Sequence, residues 1–331
     1  MKRRGYVVEK IADIDNLREA FVKARRGKAA KKEVVSFSKK LNEELLKLRE
    51  GILHGTIETG DYNYFTIYDP KQRLICAAPF VQRVLHHAIM NVCHEDFEHR
   101  QTSDSYASRI GRGVYAALDK AYNNQCRFRY WLKLDVRKYF DSISHDHLMF
   151  QLGRIYKDPL LLGMFRAIIG SYCTEPGRGL PIGNLTSQYF ANHYLSPLDH
   201  YIREGLHVEG YVRYMDDMML WGDDKMALLT TGRRVREFLE NKLGLTLKVF
   251  QLHATEVSVT FLGYRMKHGS RTLSVRSAVR YRRNLRKLYA MFDGDTLTDE
   301  DMRVRLSAVL AFVRKVPSDG VRRKAMQECL A

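Results

Sequence analysis

Two acidic positions, far apart in the sequence, carry side chains suited to divalent-metal chemistry. Asp135 lies near the end of RYWLKLDV (129–136), and the pair Asp216-Asp217 lies at the centre of YVRYMDDMMLWG (211–222). Magnesium prefers oxygen ligands and is commonly held by one or two carboxylates together with substrate phosphates. Two such ions, ~3.5–4 Å apart, stabilise the attacking and leaving oxygens when a hydroxyl displaces pyrophosphate from a nucleotide. The three acids are therefore candidates for a metal site of this kind.

Each acid also has an ordinary structural explanation. Acidic turns are common in proteins, and Asp223-Asp224 is another one in this chain. Asp135 can also act as the N-cap of a helix over the following residues RKYFDSI, a role that would not exclude metal binding. The context favours the metal site, because an apolar arm stands on each side of the Asp216-Asp217 pair and the upstream acid closes an apolar segment.

The acids can meet only if the segments that carry them form neighbouring strands. Two short apolar and aromatic arms around an acidic centre predict a β-hairpin over 211–222 with the acids at its tip. The pattern of 129–136 predicts a further strand. Adjacent strands would bring Asp135 to Asp216 across the 81 residues that separate them (216 − 135).

The rest of the chain mixes helical and extended patterns. Apolar periodicity predicts helices over 15–50, 80–97, 224–243 and from 275 onward. Aromatic and β-branched residues predict strands over 62–69, 245–250 and 257–266. In the predicted helix that follows Ile182, Pro197 predicts a kink or the start of a second helix. Strands and helices in irregular order predict an α+β fold.

The charge of the chain predicts a polyanionic partner. Its 331 residues include 55 Lys+Arg and 38 Asp+Glu, which give a net charge of +17 and a pI near 9.6. Nucleic acid is the first candidate and an anionic membrane surface the alternative. No stretch approaches the ~18–20 apolar residues of a spanning helix, and the N-terminus lacks the apolar core of a signal peptide. We therefore expect no membrane partner and a cytoplasmic location.

Two further features have more than one explanation. A basic run near the N-terminus is either a solvated helix face or a nucleic-acid contact, and it comprises Lys23, Arg25, Arg26, Lys28, Lys31, Lys32, Lys39 and Lys40. His86-His87 and Cys93-His94 could be zinc ligands, but they lie in one predicted amphipathic helix and lack zinc-ligand spacing.

Taken together, these motifs resemble those of the reverse transcriptases over roughly residues 62–290. LKLDVRKYFDSI is similar to the first palm motif of that family, in which an aromatic follows an acid by five residues. The resemblance implies that Asp135 and the backbone carbonyl of Val136 bind metal, and that Phe140 crowds the sugar 2′ position and excludes ribonucleotides. YMDD resembles the motif that supplies the second metal ligand, Asp216, with Asp217 as the third catalytic acid.

Other segments match further parts of the family pattern. FLGY resembles the primer-grip turn, which implies that role for Phe261, Leu262, Gly263 and Tyr264. PKQR (70–73) stands where basic finger residues meet the triphosphate, which implies nucleotide binding by Lys71 and Arg73, with Arg109 and Arg112 as weaker candidates. Lys248 is a candidate general acid for the departing pyrophosphate.

The segment GLPIGNLTSQ (179–188) narrows the resemblance. Most reverse transcriptases have Gln-Gly and a later Ser-Pro here, whereas this chain has Ile182-Gly183 and Ser187-Gln188. The pattern is most similar to the reverse transcriptases of diversity-generating retroelements of bacteria and phages, which misincorporate opposite template adenine. The resemblance implies that Ile182, Gly183 and Gln188 contact the nucleotide. An aliphatic Ile182 removes a polar contact there, so we expect looser selection.

The resemblance implies a right-hand polymerase fold of the α+β class. Residues 1–60 would be an N-terminal helical extension, 61–130 the fingers, 131–265 the palm with a fingers insertion at about 150–180, and 266–331 a small helical thumb. The palm would carry the catalytic acids on an antiparallel sheet. The basic helix after 275 would follow the phosphate backbone of a duplex; a solvated helix is the alternative.

The function implied is that of an RNA-directed DNA polymerase, a nucleotidyltransferase that uses two Mg²⁺ ions, with Mn²⁺ as a substitute. The implied partners are a template RNA, a cDNA or DNA primer, deoxynucleoside triphosphates and a basic oligomeric accessory protein. We expect mutagenic retrohoming with errors at template adenines, in the cytoplasm of a bacterial or phage-infected cell.

Three alternatives remain at this point. The first is a reverse transcriptase of a retron or phage-defence system, which Ile182 and Gln188 disfavour. The second is a non-catalytic RNA-binding assembly protein with a polymerase fold, which the intact acids disfavour because clustered carboxylates repel each other and RNA. The third is a DNA-templated or RNA-synthesising polymerase, which Phe140 disfavours.

Overall fold

The computed structural model describes residues 3–68, 72–294 and 296–330. The helices, in chain order, are α1 (Val8–Ile11), α2 (Ile14–Arg25), α3 (Lys32–Lys39), α4 (Leu41–His54), α5 (Phe80–Glu98), α6 (Val114–Arg127), α7 (Tyr139–Ser142), α8 (His145–Gly153), α9 (Pro159–Gly170), α10 (Leu185–Tyr194), α11 (Ser196–His200), α12 (Lys225–Leu243), α13 (Val275–Asp293), α14 (Asp299–Arg314) and α15 (Asp319–Leu330). The strands are β1 (Asn63–Tyr68), β2 (Gln72–Ala77), β3 (Tyr130–Val136), β4 (Gly210–Tyr214), β5 (Asp217–Gly222), β6 (Leu247–Ala254), β7 (Val259–Phe261), β8 (Tyr264–Lys267) and β9 (Ser270–Leu273). This mixture confirms the predicted α+β class.

The chain divides into two compact units. The first unit consists of Met1–Arg109, Asp135–His207 and Arg233–Val249. The second unit consists of Ile110–Leu134, Val208–Gly232 and Phe250–Ala331. The four regions predicted from the sequence, from the N-terminal extension to the thumb, stay a prediction.

Helices around α5 build the core of the first unit. The rings of Phe21, Phe37 and Phe80 pack with centroids 5.2 to 6.0 Å apart. Asp13 starts α2 by accepting hydrogen bonds from two backbone N–H groups of its first turn. The helical segment predicted over 15–50 is confirmed, and it consists of three helices with breaks after Arg25 and at Lys40. Gly27, with a φ of +66°, supplies the first break.

Pro197 separates two helices at the position expected from the sequence. The helix α10 ends at Tyr194, and α11 begins at Ser196 with Pro197 in its first turn. Proline lacks a backbone N–H, and the first turn of a helix is where that loss costs least. A π-helical turn over Tyr201–Gly205 follows. The predicted restart is confirmed.

A four-stranded sheet in the order β4-β5-β3-β6 carries the predicted acidic segments. Within the second unit, buried polar contacts fix the surroundings of this sheet. Gln125 of α6 accepts from Trp221 Nε1 at 2.9 Å and donates to the Thr255 carbonyl at 2.9 Å. The helix α6 thereby ties β5 to the end of β6. The strands predicted over 129–136 and 211–222 are confirmed.

The last part of the chain forms a small sheet and a helical tail. The strands β7, β8 and β9 form a three-stranded antiparallel sheet. The helix α13 then begins at a Ser274 cap and buries Tyr281 and Leu285 against Val313 of α14 and Ala325 of α15. The predicted helical tail is confirmed, and the extended segment 257–266 is a hairpin of two short strands.

Candidate active site

The acidic pair lies at the tip of the β4–β5 hairpin. Tyr214 pairs with Asp217 across the antiparallel strands, so Met215 and Asp216 form the turn itself. Met215 has a φ of +54°, and a non-glycine residue in that region costs about 1–3 kcal/mol and is often found at functional sites. The turn leaves Asp216 half-buried at the tip. The hairpin and the location of its acids are confirmed.

An apolar core and a buried arginine stabilise the strands of the hairpin. Met218, Met219 and Leu220 of β5 are fully buried. Arg213 of β4 is also fully buried, and its Nη1 donates to the Met215 carbonyl at 3.2 Å. A buried guanidinium is costly unless its donors are satisfied, so a bond to the strained turn residue links the stability of the core to the shape of the turn.

Asp217 lies beside a lysine of the neighbouring strand. Lys133 Nζ of β3 is 3.3 Å from Asp217 Oδ2 and 2.7 Å from the Thr260 carbonyl oxygen. The two charged side chains are 18% and 25% exposed. Neither Lys133 nor Arg213 was identified from the sequence, because their partners are defined only by strand pairing.

In the first unit, Asp135 is half-buried on β3, and Val136 beside it is buried. The chain then leaves the strand with a bond from Arg137 N to the Thr246 carbonyl (2.8 Å) and a left-handed Lys138 (φ +44°). Lys138 is the residue that precedes α7, and no side chain caps this helix. The alternative role of Asp135 as a helix cap is therefore wrong.

Phe140 lies on α7, directly after this bend. Its carbonyl accepts from Leu180 N at 2.9 Å, and its ring packs edge-to-face with that of Tyr139, with centroids 5.8 Å apart and an interplanar angle of 73°. Burial raises the pKa of the neighbouring Asp141 carboxyl, with Lys138 acting in the opposite direction. Phe140 is half-buried, and its backbone is fixed by the bond from Leu180 N.

Ile182 and Gly183 form a turn that contacts β2. The Ile182 carbonyl accepts from Cys76 N at 2.8 Å. Gly183 has a φ of +124°, and a Cβ there would lie 3.0 Å from Ile75 Cγ2 and 3.2 Å from the Cys76 carbonyl oxygen. A side chain at position 183 would therefore be strained and would push against the strand backbone.

Gln188 contacts a loop of the same unit. Its Oε1 accepts from Ser108 Oγ at 3.0 Å. One turn later on α10, Asn192 accepts from Ser105 Oγ (3.2 Å) and donates to the Ala107 carbonyl (3.0 Å). The two amides together attach the loop over 105–108 to α10. This loop contact was not identified from the sequence, because it joins residues 80 positions apart.

The predicted cationic residues have different surroundings. Arg73 is exposed on β2 opposite Ile67, and Lys248 is exposed on β6. Lys71 lies outside the described residues. Arg109 binds Glu98 at 2.7 Å and two loop carbonyls, and its side chain is only 7% exposed. Arg109 therefore stabilises its own loop, and its side chain is not available for a triphosphate.

The predicted primer-grip residues form the turn between β7 and β8. Leu262 and Gly263 both have positive φ values (+50° and +86°), the conformation of a two-residue turn whose twist matches its strands. Phe261 and Tyr264 on either side are buried, and Tyr264 Oη donates to the Phe312 carbonyl at 2.7 Å. The turn is therefore held rigidly on α14.

The donor set of the acidic turn suits a hard cation. In the described part of the chain, no three His, Cys, Asp or Glu side chains form a metal-binding group. Asp216 offers carboxylate oxygens at this turn, and Mg²⁺ usually takes one or two carboxylates and completes its shell with substrate phosphates and water. The residues present fit Mg²⁺ or Mn²⁺.

His86, which the sequence offered as a zinc candidate, is a neutral core residue, because burial lowers its pKa to about 3.

An α+β chain with an acidic hairpin turn beside a strand that carries a further acid has the main features of a palm-type polymerase. Residues 68–266, more than half of the chain, match the family described as reverse transcriptase (RNA-dependent DNA polymerase). The chain belongs to the reverse transcriptase family.

The chain is similar to proteins associated with introns. It is 29% identical over 150 residues to an uncharacterized 91 kDa protein in the cob intron of Schizosaccharomyces pombe, a match that covers 44% of this chain and 17% of that protein. A putative COX1/OXI3 intron 1 protein of Saccharomyces cerevisiae is 24% identical over 234 residues, 51% of this chain and 28% of that protein. The chain spans less than a third of the length of these relatives.

Among solved structures, an apo telomerase from Candida Tropicalis resembles the chain with a TM-score of 0.52 and 12% identity. The match covers 82% of this chain and 59% of that one. At this identity the likeness shows the fold alone, and with the family match it confirms the predicted right-hand polymerase fold. No helix in the described ranges is long and apolar enough to cross a membrane.

Proposed function

We propose that the chain is an RNA-directed DNA polymerase that works by two-metal nucleotidyl transfer. The observation that carries the proposal is the Met215-Asp216 turn, which presents a carboxylate at the tip of a strained and well-supported hairpin. The strand order supports it, because β5, which begins at Asp217, is the neighbour of β3, which carries Asp135. The family match over 68–266 includes all three acids.

Each residue has a proposed role in the reaction. Asp135, Asp216 and the Val136 carbonyl hold Mg²⁺ or Mn²⁺, and the bound ions would stabilise charge on the attacking and leaving oxygens. Phe140 excludes the 2′-hydroxyl of ribonucleotides. The turn of Phe261–Tyr264 aligns the primer end.

The nucleotide itself is held by residues of other segments. Lys71 and Arg73 bind the triphosphate, and Lys248 protonates the departing pyrophosphate. Ile182, Gly183 and Gln188 border the nascent base pair, with Gln188 acting through the 105–108 loop that it holds. These roles would make the chain an enzyme that uses an RNA template, a DNA primer and deoxynucleoside triphosphates.

The finer proposal concerns fidelity and partners. An aliphatic Ile182 next to the base pair offers no hydrogen bond, so discrimination at template adenine would be weak. Enzymes of the diversity-generating kind use such errors in mutagenic retrohoming, with a structured RNA and a basic oligomeric accessory protein, in the cytoplasm of a bacterial or phage-infected cell. The motif over 179–188 supports this subgroup.

A second function is favoured by one of the relatives. Nuclear intron maturase 1, mitochondrial, of Arabidopsis thaliana is 27% identical over 88 residues, 27% of this chain and 12% of that protein. A chain of this kind could bind a structured RNA as an assembly protein without polymerising. The acids of the hairpin would then be dispensable.

Primer extension distinguishes the two functions. The chain is given a primed RNA template, deoxynucleotides and Mg²⁺, both alone and with cell-derived RNA and accessory protein. We expect extension by the wild type and a loss of at least about 100-fold in Asp216→Ala, because the carboxylate binds metal in the transition state. Glu256→Ala, at an exposed acid of the same unit, should extend normally. Equal activity of wild type and Asp216→Ala, or an inactive wild type that binds RNA, would contradict the polymerase function.

A further inference from the structure

Lys133 connects three strands of the second unit through one ammonium group. Its Nζ lies 3.3 Å from Asp217 Oδ2, 2.7 Å from the Thr260 carbonyl oxygen and 6.0 Å from the centre of the Phe261 ring. Asp217 is the first residue of β5, while Thr260 and Phe261 end β7. The Lys133 ammonium group therefore contacts both the first residue of β5 and the strand β7, which leads into the turn at Leu262.

The pair of Lys133 and Asp217 is more enclosed than an ordinary surface ion pair. With side chains 18% and 25% exposed, both groups are less screened by water and salt than fully exposed charges. An ammonium group has three N–H donors and can serve the carboxylate and the carbonyl at the same time. Removal of either partner of such a pair leaves the charge of the other uncompensated.

Asp217 follows Asp216 in the chain and contacts Lys133, so the charges of Asp217 and Lys133 affect metal binding at the tip of the hairpin. Asp216 and Asp217 are consecutive, so any cation bound at the tip of the hairpin is influenced by the charge on both. Lys133 offsets the charge of Asp217 and also repels a divalent cation. The net attraction of the turn for a metal ion therefore depends on Lys133 as well as on the two acids.

We propose that Lys133 is a positioning residue that neutralises Asp217, directs the metal ion to Asp216, and fixes the acidic turn relative to the Phe261–Tyr264 turn. The proposal rests on the proposed function, because it takes the hairpin tip as the metal site. It assigns different tasks to the two adjacent acids. Asp216 binds the metal ion, and Asp217 anchors the hairpin to β3 and β7 through Lys133.

Metal binding can be measured on the full chain without nucleotide or catalysis. The probe is Mn²⁺, and its binding is followed by the loss of the EPR signal of the free ion. Lys133→Met removes the ammonium and keeps most of the apolar stem, and we expect it to tighten Mn²⁺ binding about tenfold, since a nearby positive charge is lost. Lys133→Arg keeps the charge and should bind Mn²⁺ as the wild type does. Lys267→Met, at an exposed lysine of β8, is the matched control and should also leave binding unchanged.

A second variant keeps the test decisive if Lys133→Met folds poorly. Asp217→Asn has nearly the same shape but no charge, so Lys133 would then act on Asp216 alone and weaken Mn²⁺ binding. Adding Lys133→Met to Asp217→Asn should restore it, and this double-mutant cycle measures the coupling between the two side chains directly. Thermal unfolding of each variant identifies any that is not folded.

The outcomes separate this proposal from the proposed function. Unchanged Mn²⁺ affinity in both Lys133→Met and Asp217→Asn overturns the role of Lys133, even if primer extension is normal. A wild type that binds no Mn²⁺ overturns it as well. If Mn²⁺ affinity shifts as expected but the wild type never extends a primer, Lys133 keeps its role and the polymerase function fails. A merely structural lysine would lower thermal stability without changing Mn²⁺ affinity.

Discussion

Ile182 and Gly183 are neighbours in one turn, and the structure restrains them in different ways. Gly183 is fixed because a Cβ would lie 3.0 Å from Ile75 Cγ2 and the φ of +124° is suited to glycine. The backbone of Ile182 is fixed by the bond of its carbonyl to Cys76 N. The half-buried side chain at position 182 takes no part in either restraint. A substitution there should therefore change local chemistry without moving the turn.

Replacement of Ile182 by glutamine tests the proposed cause of infidelity. We expect Ile182→Gln to lower the error frequency at template adenines about 10-fold or more, because a site that hydrogen-bonds its substrate rejects mismatched groups better than an apolar one. The measurement is sequencing of cDNA made on a defined RNA template.

Ile182→Val serves as the control, because it changes volume without adding a hydrogen-bonding group and should keep the wild-type error spectrum. An error spectrum of Ile182→Gln that matches that of Ile182→Val would show that the side chain at this position does not determine fidelity.

The sequence predicted the acids better than it predicted their surroundings. Asp216 and Asp217 were identifiable because the arms of a hairpin have a local pattern that flanks them. The contacts of Lys133 and Gln188 were not identifiable, since Lys133 contacts residues 84 and 127 positions away and Gln188 contacts a residue 80 positions away. Contacts of that range depend on strand order and helix packing, which a single sequence does not display.

Among the elements, the long helices predicted over 80–97 and 224–243 match α5 and α12 to within one residue at each end, and the strands were predicted about as accurately. The strand over 129–136 and the hairpin over 211–222 have buried apolar arms, in agreement with the patterns that predicted them. The helical segment 15–50 is divided into separate helices, and the first break lies where Gly27 adopts a left-handed conformation. Packing of Phe21 and Phe37 against Phe80 then decides the direction of the separate helices.

The helices α5 and α10 carry buried histidines that make the first unit sensitive to acid. Burial lowers the pKa of His86 to about 3, with His87 and Arg83 adding to the effect. Burial also lowers the pKa of His193 to about 3, assisted by Arg100. The usual histidine pKa is about 6.5, so as the pH falls the unfolded chain binds protons before the folded chain does. The stability that these residues contribute is full above about pH 6.5 and declines toward pH 3.

Urea unfolding between pH 7.5 and pH 5 tests this acid sensitivity. We expect the free energy of unfolding to fall with pH, by at most about 1.4 kcal/mol per pH unit for each such histidine. His86→Leu, which removes one of the two groups, should make the dependence shallower. His268→Gln, at an exposed histidine, should leave it unchanged. A pH dependence that is identical in wild type and His86→Leu would contradict the assignment.

At the scale of the whole molecule, the net charge of +17 is distributed over several separate basic segments. One is α13, where Arg276, Arg283, Arg286 and Lys287 are exposed and the apolar side packs on α14 and α15. Another is α3 with the turn before it, where Lys31, Lys32 and Lys39 are exposed. Composition alone gives both segments the same significance. Only contact with phosphates distinguishes a nucleic-acid surface from a solvated one.

The salt dependence of binding to an RNA–DNA duplex measures that distinction. Each phosphate contact releases counterions, so the logarithm of the binding constant falls with the logarithm of salt concentration by about 0.9 per contact on a B-form DNA duplex. If α13 lies along the duplex, changing Arg276, Arg283 and Lys287 to glutamine should weaken binding and reduce the slope by about 2–3. The same change at Lys31, Lys32 and Lys39 removes an equal charge and is the matched comparison. A slope that falls equally in both variants would mean that the effect follows net charge, and an unchanged slope in the α13 variant would exclude this helix from the duplex surface.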